Sequence, residues 1–206
     1  MEFNLPIFLT LLRIVLIPVF VVAFYMPYGG SNLICTLLFA LAAATDYLDG
    51  YLARRWGQTS AFGAFLDPVA DKLIVATALV LLVQAIPSVW MAIAAAVIIG
   101  REITVSALRE WMAQIGDRSR VAVSMLGKVK TTAQMLALLL LLYRDPLFGL
   151  PVRDIGLGLL GVAAVLTLWS MCSYLAAAWP SMRRPATPKS RGRRLDAVGG
   201  NGTGQG

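Results

Sequence analysis

The chain has 206 residues, of which 58% are hydrophobic and 14% charged, with a formal net charge of +7. Mean hydropathy is +0.74. A soluble domain carries about 25% charged residues, so too little polar surface is present here to wrap a water-soluble globule. The composition excludes a soluble enzyme and a wholly disordered chain, and it reads as an integral membrane protein. Histidine is absent, which removes an imidazole base, a Ser-His-Asp triad and the usual zinc or haem ligands. Cys35 and Cys172 stand far apart in apolar runs and read as small buried hydrophobes. Chemistry is left to carboxylates, Lys/Arg, hydroxyls and a hard metal ion.

A bilayer-crossing helix needs about 20 mostly apolar residues. In chain order, residues 7–26, 31–54, 61–84, 88–109, 122–143 and 155–179 satisfy this. The predicted fold class is therefore all-α, an integral membrane bundle of six transmembrane helices. Pro27, Gly29 and Gly30 separate the first two spans, and Pro87 separates the third from the fourth. Asp145-Pro146 and Pro151 divide the fifth from the sixth, and Pro180 follows the last. The first span lacks a cleavage site of small residues and is too long for a signal sequence, so it is read as retained. Residues 1–182 form the membrane domain; 183–206 turn basic and then Gly-rich, the composition of a disordered cytoplasmic tail. The tail's positive charges are suited to anionic lipid headgroups.

An even number of spans places both termini on one side. Arg54, Arg55, Arg109, Arg118, Arg120, Lys128 and Lys130 fall on that side, with the basic tail. The opposite side carries only Arg144 and Arg153, balanced by Asp145 and Asp154. Positive charge concentrates inside, so both termini are expected in the cytoplasm.

Asp46, Asp49, Asp67 and Asp71 lie within hydrophobic spans, where an aspartate costs on the order of 3 kcal/mol and marks a functional site by default. Asp46 and Asp49 share one face of the second span, and Asp67 and Asp71 share one face of the third. With Gly57 as the turn, both pairs reach similar depths, roughly 12–21 Å from it at the helical rise. Antiparallel helices joined by a short loop are neighbours, so the four carboxylates are expected to converge below the cytoplasmic surface. Bare, they would repel one another. One or two divalent cations answer that repulsion, and oxygen-only ligation suits Mg²⁺, Mn²⁺ or Ca²⁺ rather than zinc. The competing reading is structural: ion pairs with Arg54, Arg55 and Lys72. Gly50 and Ala53 fall on the carboxylate face, where a missing side chain admits a ligand to the backbone or permits tight helix packing. Gly63 is a third small residue of this set, and Arg54 offers a fork of donors suited to phosphate.

Together these residues read Asp46-x2-Asp49-Gly50-x2-Ala53-Arg54-x8-Gly63-x3-Asp67-x3-Asp71. The pattern resembles the signature of the CDP-alcohol phosphotransferase family at every fixed position. The resemblance implies six transmembrane helices, a homodimer, and displacement of CMP from a CDP-linked lipid by an alcohol. It implies that Asp46, Asp49, Asp67 and Asp71 hold two divalent metals, Mg²⁺ or Mn²⁺, with Asp71 also the base for the incoming hydroxyl. Within the family, Leu9-Thr10-Leu11-Leu12-Arg13, Gly100-Arg101-Glu102-Ile103-Thr104, Ala107-Leu108-Arg109-Glu110-Trp111 and Gly127-Lys128-Val129-Lys130-Thr131 look like bacterial members that use CDP-diacylglycerol and sn-glycerol 3-phosphate. One departure is visible: Asn4-Leu5-Pro6 is followed by Ile7, where the family often has a second asparagine.

On that footing, Gly50, Ala53, Arg54 and Gly63, with Thr10 and Arg13, are expected to bind CDP-diacylglycerol. Arg101, Arg109, Lys128 and Lys130 are expected to bind the acceptor's phosphate. Arg101 could instead pair with Glu102 or another acid, and Lys128 and Lys130 could simply anchor the inner face. The expected setting is a bacterial inner membrane with the site facing the cytoplasm, membrane lipids as neighbours and no nucleic acid. The alternatives are the same chemistry on phosphatidylglycerol, inositol phosphate or serine, and a cation transporter, which would carry polar faces through several spans.

Overall fold

The computed structural model describes residues 5–27, 29–56, 61–114, 125–146 and 149–182. Among them run six helices: α1 (Leu5–Tyr25), α2 (Ser31–Trp56), α3 (Ala61–Ala85), α4 (Val89–Gln114), α5 (Met125–Tyr143) and α6 (Val152–Met182). Three are long and apolar enough to cross a membrane, over Phe8–Tyr25, Val89–Met112 and Val152–Ala176. Shorter apolar stretches lie among the described residues of α2 and α5, over Ser31–Asp46 and Val129–Tyr143. Pro18 and Pro68 lie inside α1 and α3; membrane helices tolerate proline where neighbours satisfy the freed carbonyl.

The C-terminal ends of α4 and α6 run past expectation. Helix α4 continues past residue 109 to Gln114 because Leu108 and Met112, one turn apart, bury themselves beside Tyr174 of α6. Helix α6 passes through Pro180 and ends at Met182. Cys35 is buried as expected, but Cys172 is exposed on the outer face of α6, where small apolar groups can meet lipid as readily as protein.

The packing order also departs from the hairpin picture. Helix α1 packs extensively against both α2 and α3, while α2 and α3 touch each other sparsely. Helix α6 packs on α5 and α4, and α5 closes against α2. Helices α5 and α6 approach closely at Gly156, where an added Cβ would stand 2.9 Å from Leu141 Cγ. Past the end of α5, Arg144 adopts a left-handed conformation (φ 56°) and its N–H caps the Leu140 carbonyl at 3.1 Å. Its guanidinium lies 4.9 Å from the centre of the Phe24 ring.

Among the described residues, five of the helices are divided along their length. The apolar core gathers Phe20 and Ala23 of α1, Cys35 and Phe39 of α2, Leu79 and Leu82 of α3, Met91 and Ile98 of α4, Leu138 and Leu142 of α5, and Leu160 of α6. Buried polar side chains occupy the other half: Thr10 and Arg13, Thr45, Arg101, Lys130 and Gln134, Thr167 and Ser170. The polar part is the first half of α1 and α5 and the second half of α4 and α6. That alternation is what antiparallel helices require if the polar groups share one end of the bundle. The dry end holds the helices together and the polar end carries the site.

Candidate active site

Arg13 is fully buried in α1. Its Nη1 lies 3.0 Å from Asp46 Oδ1 and 4.0 Å from Asp67 Oδ1, and it donates to Asp71 Oδ1. One turn earlier, the Thr10 hydroxyl donates to Asp67 Oδ1 at 3.0 Å. Because α1 fits between α2 and α3, it delivers a cation to the place where their carboxylates meet. The three aspartates are 39%, 41% and 44% exposed, so each keeps an open side while its other side faces Arg13. Among the described residues, no three acidic side chains alone form a metal-ligand group; the three converge on a guanidinium. The side chains of Asp49, Gly50, Ala53, Arg54 and Lys128 lie outside the described set. Gly63 is on α3, one turn before Asp67.

Neither Arg55 nor Lys72 is the described partner of these aspartates. Arg55 donates to the Tyr51 hydroxyl at 3.2 Å. Lys72 lines a cavity of about 600 Å³ that opens beside the acid cluster. Asp46 and Asp71 stand on its wall, and so do Arg101, Arg109 and Gln134. One chamber therefore has carboxylates in one part and cations in another.

The cationic part is held by Glu102. Its Oε1 accepts from Arg101 Nη1 at 2.8 Å and from Lys130 Nζ at 2.9 Å. Arg101 Nη2 also donates to Ser170 Oγ at 3.1 Å. Tyr174 offers its ring to Arg101 (5.8 Å to the centroid) and Arg109 (5.5 Å), both within cation–π range, and its hydroxyl accepts from Arg109 Nη2 at 3.3 Å. The Arg101–Glu102 pair and the cavity-lining position of Arg101 thus coexist. Lys130 reaches the chamber through Glu102 and is not itself on the wall.

Sequence reasoning missed Gln134, which lines this chamber, and Ser170 and Tyr174, which hold its arginines. Helical spacing carried the available signal: Gln134 is one turn beyond Lys130, and Tyr174 one turn beyond Ser170. Lys72 entered only as an ion-pair partner, and the role of Glu102 toward Lys130 depends on how α4 and α5 meet.

These features define a helical membrane protein with an acidic centre and a basic chamber at one end of the bundle. The chain belongs to the CDP-alcohol phosphatidyltransferase family, whose model matches residues 3–172. It is 57% identical over 185 residues to a CDP-diacylglycerol–glycerol-3-phosphate 3-phosphatidyltransferase of Pectobacterium atrosepticum, covering 90% of this chain and all of that one. A protein of the same name from Sodalis glossinidius is 60% identical over 178 residues, covering 86% of this chain and 96% of its own. Another, from Salmonella paratyphi A, is 57% identical over the same length and with the same coverage.

Proposed function

We propose that this chain transfers the phosphatidyl group of CDP-diacylglycerol to sn-glycerol 3-phosphate, giving phosphatidylglycerophosphate and CMP. The observation that carries this reading is the single chamber bounded by Asp46 and Asp71 and by Arg101, Arg109 and Lys72. Such a chamber can hold a phosphorylated alcohol with its anionic end on the cations and its hydroxyl toward a carboxylate. The family membership and the names of the relatives point the same way.

In the proposed reaction the primary hydroxyl of glycerol 3-phosphate attacks the β-phosphorus of CDP-diacylglycerol in line. The new P–O bond forms as the bond to CMP breaks, and CMP leaves with that electron pair. Asp71 takes the hydroxyl proton. Arg13 orients Asp46 and Asp71. Arg101, held by Glu102, Ser170 and Tyr174, receives the acceptor's phosphate with Arg109, and Lys72 adds charge to the same wall. We assign Thr10 and Arg13 to the carboxylate centre through their contacts; binding of the nucleotide lipid by them, with Gly50, Ala53, Arg54 and Gly63, rests on the resemblance.

The all-oxygen donor chemistry of Asp46, Asp67 and Asp71 suits a hard divalent ion, while among the described residues their arrangement is closed on Arg13. Asp46, Asp67 and Asp71, with Asp49, would hold Mg²⁺ or Mn²⁺. Such an ion supplies neutralisation of the pyrophosphate and of the departing CMP. Asp71→Asn removes the proposed proton acceptor while keeping the side chain's shape.

We further propose that all six helices span a bacterial inner membrane, with termini and catalytic centre on the cytoplasmic side. The charge asymmetry and the gathering of buried polar groups at one end support this. The boundary between a domain at 1–182 and a basic tail at 183–206, and the homodimer, follow from composition and family resemblance. The test is an acceptor panel: purified protein, CDP-diacylglycerol and Mg²⁺ or Mn²⁺ should release CMP with glycerol 3-phosphate, and not with inositol phosphate or serine. Release with serine alone would overturn the reading.

A further inference from the structure

Gln134 stands out in the chamber because its chemistry is unfinished. The residue is 5% exposed and lines the cavity with Asp71 and Arg101. Its Oε1 is buried without a hydrogen-bond partner, although buried acceptors in native proteins are nearly always paired. We infer that Gln134 selects the acceptor, its amide oxygen taking a hydrogen bond from the secondary hydroxyl of glycerol 3-phosphate. This inference rests on the proposed function.

The layout of the chamber argues for that hydroxyl. An unfilled acceptor needs a donor, and a phosphate dianion or a phosphodiester supplies none. Of the groups on glycerol 3-phosphate, the phosphate is matched by Arg101, Arg109 and Lys72, and the primary hydroxyl by Asp71. The secondary hydroxyl is the remaining donor, and it lies between the other two groups along the molecule. Gln134 lies one turn along α5 from Lys130, about 6 Å toward the apolar core. It is therefore set back from the cationic cluster, yet on the same wall as Asp71. The terminal torsion of glutamine is soft, so the amide oxygen can turn toward a bound hydroxyl without a change in the rest of the side chain. A neutral amide also serves better than a carboxylate here, since another negative charge would repel the phosphate a few ångströms away.

Sites that hydrogen-bond a substrate hydroxyl discriminate against analogues lacking it, because the buried protein group is then left unpaired. The probe is 3-hydroxypropyl phosphate, which keeps the primary hydroxyl and the phosphate and lacks the secondary hydroxyl. Wild-type protein should prefer glycerol 3-phosphate by about tenfold or more in kcat/KM. Gln134→Leu and Gln134→Met should bring that ratio to within about twofold of one, by weakening use of glycerol 3-phosphate while turnover of the analogue persists. Neither variant creates an unpaired polar group, so both should retain the wild-type melting temperature. A wild-type ratio near one refutes the role of Gln134 without any variant. A preference that survives in either folded variant refutes it too. Wild-type protein that releases CMP with neither compound would refute the proposed function, and this inference with it.

Discussion

Arg13→Met is the most informative single change, because it removes the cation on which three carboxylates converge while keeping an unbranched side chain of similar bulk. Breaking a fully buried ion pair by deleting one partner costs about 3–5 kcal/mol, whereas exposed pairs are worth about 0–1 kcal/mol. Arg13 is fully buried, but Asp46, Asp67 and Asp71 are 39%, 41% and 44% exposed. Solvent therefore screens part of the loss, and the expected cost falls between the two limits, near ~2 kcal/mol. In a chain of this length each kcal/mol moves the melting temperature by about 2–4 °C, so a decrease of roughly 4–8 °C is expected. Thermal unfolding in detergent micelles, with chelator and with Mg²⁺, measures it. Added Mg²⁺ should raise the melting temperature of the variant more than that of the wild type, since a divalent ion meets the charge that Arg13 no longer neutralises. A melting temperature unchanged in chelator, or equal Mg²⁺ shifts in both proteins, would refute the reasoning.

Asp71→Asn should lower CMP release by about 10²–10⁴-fold with the fold intact; substantial activity in this variant removes Asp71 from the role of base. Arg101→Lys keeps the charge but loses the fork that reaches Glu102 and Ser170 together, so KM for glycerol 3-phosphate should rise about tenfold with kcat less affected. Steady-state kinetics decide it, and a fall in kcat at unchanged KM would contradict a binding role. Gly156→Ala would place its Cβ 2.9 Å from Leu141 Cγ, 3.0 Å from Leu141 Cδ2 and 3.3 Å from Leu140 Cβ. Overpacking of this kind costs about 1–3 kcal/mol. The melting temperature should fall while activity per folded molecule stays unchanged, because this contact lies in the apolar half of the bundle.

The helices were legible because their signals are local. Apolar runs interrupted at Pro27–Gly30, around Pro87 and at Pro146–Pro151 place most ends within a few residues. The pairing of Asp67 with Asp71 was legible for the same reason: helical spacing puts them on one face. The order of packing was not. A short connection suggested that α2 and α3 lie directly together, but α1 occupies the groove between them. Nothing adjacent in sequence ties Arg13 to Asp46, Asp67 and Asp71, so its position among them emerges only from the assembled bundle. Glu102 was visible as a neighbour of Arg101, whereas its bond to Lys130 joins α4 to α5 across a segment of chain outside the described residues. Gln134 gave even less warning, since a lone glutamine in an apolar helix becomes informative only once its surroundings show an acceptor without a donor.

Electron paramagnetic resonance of Mn²⁺ titrated into the purified protein measures most directly whether α2 and α3 grip a common cation. Wild-type protein should take up Mn²⁺ and diminish the free-ion signal, whereas the folded Asp46→Asn/Asp71→Asn double variant should leave that signal at full strength. Equal uptake by both proteins would contradict a shared cation centre built from these aspartates.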